Sequence, residues 1–169
     1  MVKKILILII ALFVTSFILG EDVSKEDQEK LNKVYKLYDE FKDEFKSVEA
    51  IASEELKKIK TKVTIIDVRE KAEQDISMIP NAITKEEFEK NREKYRDSLV
   101  VTYCTIGYRS GLYADKLSKE GFQVKNLKGS LLAWVLSGEP IQKDGKDVLT
   151  IHVYGKKWNI LPAKYKAIW

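Results

Sequence analysis

Two short runs rich in β-branched residues constrain the fold of this chain more than any other feature. They cover residues 63–67 and 99–103, and neither alternates strictly between apolar and polar positions. This pattern is typical of strands buried on both faces of a parallel sheet. A further strand is predicted over residues 122–127, and helices are predicted over residues 54–60, 85–95, 110–120 and 130–137. Strands and helices in alternation predict an α/β fold with a mostly parallel central sheet.

The segment that precedes this pattern has the features of an export signal. Lys3 and Lys4 stand before an apolar run over residues 5–19. A membrane-spanning helix needs about 20 apolar residues, whereas the core of a signal peptide has about 7–15. We therefore expect residues 1–20 to be a signal peptide, with a membrane anchor as the alternative. Both predict an exported protein, in the bacterial periplasm or at the outer face of the inner membrane, and an uncleaved segment would associate it with the membrane.

Residues 21–47 carry the pattern of an amphipathic helix or linker. Apolar residues recur at spacings of three and four, at Leu31, Val34, Tyr38, Phe41, Phe45 and Val48. Lys, Asp and Glu fill the opposite face, which predicts a helix from Lys25 to about residue 47. We expect this helix to pack on the domain or to bridge it to the membrane, because fewer than three heptads with aromatic seam positions disfavour the alternative, a coiled coil.

Composition limits the class of protein. The 169 residues are 33% charged and carry a formal net charge of +4, with the basic residues dispersed along the chain. Dispersed charge favours solubility and does not indicate a nucleic-acid partner. The chain has a single cysteine, Cys104, so it forms no internal disulfide bond and its stability has to come from packing. Its length predicts one globular domain with additional segments.

The position of Cys104 indicates chemistry. The residue ends a predicted buried strand, and residues 105–109 connect it to a helix predicted to begin near Ser110. Loops at the carboxyl ends of parallel strands bind ligands, and amide groups that lead into a helix form an anion cradle. The helix end and Arg109 both favour the thiolate over the thiol, and Gly107 permits a positive φ. A core-filling cysteine is the alternative, but these features together predict a reactive nucleophile.

Five motifs, in order, resemble those of a single-domain rhodanese. They are Ile-Ile-Asp-Val-Arg-Glu at 65–70, Ile-Pro-Asn-Ala-Ile at 79–83, Tyr-Cys-Thr-Ile-Gly-Tyr-Arg-Ser-Gly at 103–111, Leu-Lys-Gly-Ser-Leu-Leu-Ala-Trp at 127–134 and Gly-Glu-Pro-Ile at 138–141. The cysteine loop combined with the upstream Asp-Val-Arg-Glu motif is more specific than either motif alone. We therefore interpret residues 48–141 as a rhodanese-like domain and residues 142–169 as a C-terminal extension.

The resemblance implies a central parallel sheet of five strands with helices on both faces. It also implies a sulfurtransferase, in which Cys104 takes a sulfane sulfur as a persulfide and passes it to a thiol or cyanide-like acceptor. The partners would be a small sulfur donor or a protein persulfide, and an acceptor thiol. No metal or organic cofactor belongs to this chemistry.

Further residues are expected to support Cys104. The loop predicted to bind the persulfide anion comprises Thr105, Ile106, Gly107, Tyr108, Arg109 and Ser110, whose amide groups would surround the sulfur. Asp67 is expected to fix the loop as a hydrogen-bond acceptor, and Arg69 or Arg109 to supply positive charge at the mouth. A structural ion pair between Asp67 and Arg69 is the alternative. Thr105 stands where thiosulfate-cleaving relatives often carry a cation, which predicts that thiosulfate is a poor donor.

Two other functions stay open. A cysteine-loop phosphatase or arsenate reductase needs five residues between its cysteine and its arginine, whereas four separate Cys104 from Arg109. A non-enzymatic interaction or redox-sensing module needs only a modifiable cysteine. In the C-terminal extension, His152 is expected to face solvent on an edge strand, and the lysines and tryptophans fit either a cover for the domain or a docking segment.

Overall fold

The computed structural model describes residues 23–169. The predicted signal peptide or anchor over residues 1–20 lies outside the described residues, so the structure does not test it. Within residues 23–169, none of the helices has the length and apolar character needed to cross a membrane.

A five-stranded sheet forms the centre of the molecule. Its strands are β1 (Glu49–Ile51), β2 (Thr64–Asp67), β3 (Ile83–Thr84), β4 (Val100–Tyr103) and β5 (Val124–Leu127). All of them run parallel, in the order β1-β5-β4-β2-β3. Strand β4 is buried along its whole length between β2 and β5, which explains its continuous run of apolar and β-branched residues. The predicted parallel sheet is confirmed.

Helices cover both faces of this sheet. They are α1 (Lys25–Phe41), α2 (Ser53–Ile59), α3 (Lys71–Gln74), α4 (Lys85–Lys90), α5 (Tyr108–Lys119) and α6 (Ser130–Leu136). Consecutive strand residues enter different cores: Val101 of β4 packs with residues of α1, α2 and α6, whereas Val100 packs with residues of α4 and α5. This alternation follows from the two-residue period of a strand. The α/β fold with helices on both faces is confirmed.

Three helix boundaries differ from the sequence prediction by two residues or more. Helix α5 begins at Tyr108 rather than near Ser110, because Gly107 adopts φ +109° and turns the chain directly into the helix. The first amphipathic helix ends at Phe41, after which a 3₁₀ turn covers Lys42–Phe45. Helix α4 ends at Lys90, where the next residue leaves the helical conformation, and a second 3₁₀ turn follows. Side-chain periodicity does not distinguish these turns from the α-helix.

Helix α1 packs on the domain, and it contacts Gly107 in the cysteine loop and Gly129 at the start of α6. A Cβ atom at Gly107 would lie 2.6 Å from Cδ2 of Tyr38, and one at Gly129 would lie 2.6 Å from Cγ1 of Val34. Both glycines have positive φ angles. Side chains at these two positions would therefore separate α1 from the cysteine loop and from the start of α6.

The C-terminal extension covers the domain. The hairpin of β6 (Ile141–Lys143) and β7 (Lys146–Val148) joins it to the domain, and the parallel pair β8 (Thr150–His152) and β9 (Lys166–Ile168) follows. Between β8 and β9, a 3₁₀ turn covers Lys156–Trp158. The main core, which lies on the side of the sheet that α1, α2 and α6 cover, also contains four residues of the extension: Ile151, Val153, Ile160 and Leu161. The extension is therefore part of the folded unit.

Candidate active site

Cys104 directly follows β4, at the carboxyl end of the sheet. Its side chain is buried, and the Gly107 amide donates a hydrogen bond to Sγ at 3.2 Å. The Cys104 amide donates to Oγ of Ser130 at 3.1 Å. The amides of Leu131 and Leu132 donate to the carbonyl oxygens of Cys104 and Thr105. The start of α6 therefore holds the cysteine loop in place.

The loop leads straight into α5, so Tyr108, Arg109 and Ser110 form the first turn of that helix. Amide groups in a first turn have no acceptor within the helix, and the positive end of the helix dipole lies there. The predicted positive φ at Gly107 is confirmed. The Gly107 amide and the positive end of α5 therefore lie beside the sulfur.

A buried polar network supports the loop from behind. The Asn126 side chain donates to the Gly107 carbonyl oxygen at 2.8 Å and to the Tyr38 hydroxyl at 3.2 Å. Oδ1 of Asn126 accepts a hydrogen bond from the Ser110 hydroxyl at 2.7 Å. Burial raises the pKa of Tyr38 to about 12, so its hydroxyl stays protonated at neutral pH. Sequence reasoning missed Asn126, because an asparagine at a strand end carries no distinctive signal.

Arg109 is held by a buried carboxylate that sequence reasoning also missed. Its guanidinium donates to both carboxylate oxygens of Glu73, at 2.7 and 2.9 Å. Burial alone would raise the pKa of Glu73, but hydrogen bonds from Arg109 and from the Glu70 amide hold it below its usual 4.5. The same carboxylate raises the pKa of Arg109 against the effect of burial. The sequence did carry a signal for a structural role of Glu73, because Glu70 and Glu73 have the spacing of a capping box, which they form at the start of α3.

The Thr105 side chain is buried and hydrogen-bonded to its neighbours. Its hydroxyl donates to Glu73 at 3.3 Å and accepts from Arg109 at 3.3 Å, and the residue is 3% exposed. Thr105 therefore brings no positive charge to the site, and poor thiosulfate turnover stays a prediction. The sequence did not indicate the two hydrogen-bond partners of Thr105, because strand and loop patterns do not give the direction of a side chain in a tight turn.

Asp67 and Arg69 form a buried ion pair beside β2. Nη2 of Arg69 lies 2.6 Å from Oδ2 of Asp67 and also donates to the Ser77 carbonyl oxygen. The Tyr103 hydroxyl donates to the same carboxylate at 2.6 Å. Both charged side chains are fully buried, so Arg69 does not supply positive charge at the mouth. The geometry is that of the structural alternative, because the pair ties β2 to β4 and to the segment after α3.

A cavity of about 320 Å³ opens above Cys104. The cysteine loop forms its floor with Thr105, Ile106, Tyr108 and Arg109, and residues outside the predicted domain form its walls. These wall residues are Phe41 of α1 and Tyr154, Lys157 and Trp158 of the C-terminal extension. Sequence reasoning missed all four, since nothing in the local sequence indicates which surface a terminal segment covers.

His152 lies close to this cluster. Its Nδ1 is 4.0 Å from Oε1 of Glu73 and accepts a hydrogen bond from the Tyr154 amide at 3.1 Å. The side chain is only 20% exposed, so the expectation that it faces solvent is wrong, because β8 lies beside the Glu73 carboxylate. Within residues 23–169, no group of three or more His, Cys, Asp and Glu side chains is arranged to hold a metal ion.

The fold and site define a cysteine-loop domain built on a parallel sheet. The family model for the rhodanese-like domain matches residues 51–137. The chain therefore belongs to the rhodanese-like family.

Sulfurtransferases are among its relatives. The chain is 37% identical over 90 residues to an adenylyltransferase and sulfurtransferase of Yarrowia lipolytica, a match that covers 50% of this chain and 23% of that protein. It is 35% identical over 89 residues to a sulfurtransferase of Allochromatium vinosum, covering 47% of this chain and 78% of that protein. Among solved structures, it resembles a rhodanese-related protein of Thermoplasma volcanium, with a TM-score of 0.51 and 26% identity over 56% of this chain and 97% of the other.

Proposed function

We propose that this protein is a rhodanese-type sulfurtransferase that carries sulfane sulfur as a persulfide on Cys104 and passes it to a thiol or cyanide-like acceptor. One observation carries the proposal: Cys104 lies at the floor of a cavity, with its Sγ bonded to the Gly107 amide at the start of α5. Membership of a family that includes sulfurtransferases supports the same reaction class.

The reaction has two steps. In the first, the Cys104 thiolate attacks the terminal sulfur of the donor and a new S–S bond forms. The bond between that sulfur and the rest of the donor breaks, and the desulfurated donor leaves with the electron pair. The persulfide anion then carries its negative charge near the Gly107 amide and the helix end, where fixed donors stabilise it without proton transfer. In the second step, an acceptor thiolate or cyanide attacks the outer sulfur and the Cys104 thiolate is released.

The loop length argues against phosphoryl or arsenate chemistry. Those reactions need a cradle that encloses a tetrahedral oxyanion, with the arginine free to bind its oxygens. Here four residues separate Cys104 from Arg109, and the guanidinium is already bonded to Glu73. The site suits a single sulfur atom better than a bound oxyanion.

The mass of the protein after exposure to a persulfide or thiosulfonate donor tests this function. We expect the wild-type protein to gain one sulfur atom and to lose it on treatment with cyanide, with thiocyanate as the product. Cys104→Ser is the matched control and should gain nothing, because the loop then lacks its nucleophile. An unmodified wild-type protein, or a sulfur gained by the Ser variant, would contradict the proposal.

We also propose that the protein is exported and acts in the periplasm or at the outer face of the inner membrane. Support comes from Lys3 and Lys4 ahead of the apolar run over residues 5–19. Cell fractionation followed by mass measurement tests the proposal. We expect the protein outside the cytoplasm, with a mass that shows cleavage near Gly20 or retention of the whole segment. Recovery from the cytoplasmic fraction alone would contradict export.

A further inference from the structure

We propose that the C-terminal extension forms a donor subsite in which Lys157 and Trp158 bind an organic anion with an apolar body, such as an organic thiosulfonate. This inference rests on the proposed sulfur transfer at Cys104. It goes further because it assigns the choice of donor to residues outside the match to the family, which ends at residue 137.

The charges around the cavity favour an anionic donor. Glu73 offsets part of the charge of Arg109 through two hydrogen bonds, and the guanidinium also lies over the Tyr154 ring at 4.7 Å. Lys157 lies over the Trp158 ring at 4.7 Å and forms no ion pair with any carboxylate in the described part of the chain. No aspartate or glutamate lines the cavity within residues 23–169. Lys157 therefore leaves one uncompensated positive charge at the rim above Cys104.

The cavity walls favour an apolar body on the donor. Phe41, Ile106, Tyr108 and Trp158 present aromatic or aliphatic surface around the sulfur. Phe41 and Tyr108 pack edge to face, with ring centroids 5.4 Å apart, which fixes one wall. The volume of about 320 Å³ falls at the lower end of the ~300–1,000 Å³ range of sites for small organic ligands. Inorganic thiosulfate would leave this apolar surface unused.

The extension is fixed well enough to act as a wall. Ile151 and Val153 are fully buried in the main core, and they anchor the chain immediately before the aromatic residues. Tyr154 has φ +65°, a conformation that a tyrosine adopts only where its surroundings impose it. Its ring lies against Arg109. Backbone strain beside a cavity is a feature of pre-organised binding sites.

The first half of the reaction shows how Lys157 would act. The Cys104 thiolate attacks the terminal sulfur of a thiosulfonate anion, and the bond between the two donor sulfur atoms breaks. The sulfinate leaves with that electron pair, and the persulfide keeps one negative charge. Lys157 attracts the sulfonyl oxygens of the donor and of the leaving sulfinate, while Trp158 contacts the organic group.

Single-turnover persulfide formation, followed by mass spectrometry, tests the subsite. The probes are benzenethiosulfonate and inorganic thiosulfate at concentrations below saturation. We expect Lys157→Gln to slow formation about five-fold with both anions, the factor for losing an exposed ion pair of ~1 kcal/mol. Lys156→Gln is the matched control, because Lys156 is an exposed neighbour that does not line the cavity, and it should leave both rates unchanged.

A second pair of variants tests the apolar contact. Trp158→Leu should slow the reaction with benzenethiosulfonate several-fold more than the reaction with thiosulfate. Trp158→Phe, which keeps an aromatic ring, should react with benzenethiosulfonate at a rate close to that of the wild type. Equal rates in the Lys157 and Lys156 variants, or an equal effect of Trp158→Leu on both donors, would overturn the subsite while persulfide formation by the wild type upheld the sulfurtransferase. A wild-type protein that takes sulfur from neither probe, nor from a persulfide donor, would overturn both proposals.

Discussion

The Arg109 guanidinium is hydrogen-bonded to Glu73 and also interacts electrostatically with Cys104. A cation near a cysteine favours nucleophilic attack by its sulfur, so we expect Arg109→Ala to slow alkylation by iodoacetamide at neutral pH by roughly three- to ten-fold. The alkylation rate of the purified protein measures this effect. Arg96→Ala is a suitable control, because that side chain pairs with Glu93 on the surface. An unchanged rate in the Arg109 variant would assign it a purely structural role.

The lowered pKa of Glu73 makes the free energy of unfolding depend on pH. Its pKa in the folded protein lies below the usual 4.5, so the unfolded chain takes up the proton first as the pH falls. The stabilisation is therefore complete above about pH 5 and is lost as the pH falls through the folded pKa. We expect the free energy of unfolding, from urea titrations, to fall more steeply on acidification in the wild type than in Glu73→Gln. Parallel pH profiles would refute this role.

At the scale of residues, the sequence predicted what lies in one contiguous loop. Cys104, Gly107 and Arg109 are neighbours in the chain, so their positions follow from one strand end and one helix start. Glu73 reaches Arg109 from a different helix, and Lys157 reaches the cavity from the far end of the chain. Such contacts depend on how distant elements pack, which periodicity and capping signals do not encode.

At the scale of elements, α1 and the 3₁₀ turn after it pack against small residues. A Cβ atom at Gly111 of α5 would overlap the Phe45 ring, although the backbone there is helical and unstrained. We expect Gly111→Ala to lower the free energy of unfolding by ~1–3 kcal/mol, because over-packing a close contact forces neighbouring groups to shift. Urea denaturation measures this change.

Gly155→Ala serves as the control for that substitution. Its backbone is extended and a Cβ atom would meet no atom within 4 Å, so its stability should differ little from that of the wild type. Equal stability of the Gly111 and Gly155 variants would show that α5 and Phe45 are not tightly packed. The sequence predicted α1 and α5 as elements, but the contact between Gly111 and Phe45 depends on the 3₁₀ turn, which the helical pattern concealed.

At the scale of the whole molecule, three separate stretches of chain complete the cavity. The family match covers residues 51–137, and it includes Cys104 and the loop. It excludes Phe41 of α1 and the three wall residues of the C-terminal extension. The α/β pattern was readable from the sequence because each strand and helix carries its own signal. The sequence did not predict that α1 and the C-terminal extension both line the cavity, because that arrangement depends on long-range packing.

This arrangement predicts that the extension and the sheet unfold together. Ile151 is fully buried in the same core as Val101 of β4. We expect Ile151→Ala to lower the free energy of unfolding by ~2–5 kcal/mol. The Val153 amide donates a hydrogen bond to Ile168 within the extension. Hydrogen exchange should show the same loss of protection at this amide and at the amides of β4, because one cooperative unit opens only as a whole.

A neighbouring residue provides the matched control for this prediction. Leu149 lies in the same extension but is 53% exposed, so Leu149→Ala should change the free energy of unfolding by less than ~0.5 kcal/mol. If Ile151→Ala accelerated exchange at Val153 and left the strands of the sheet protected, the extension would be a separately opening cover. The cavity above Cys104 would then lose Tyr154, Lys157 and Trp158 without global unfolding. An equal loss of protection at Val153 and in the strands of the sheet would show that the extension and the sheet open as one unit. The folded domain that positions Cys104 would then also fix the cavity wall that faces the donor.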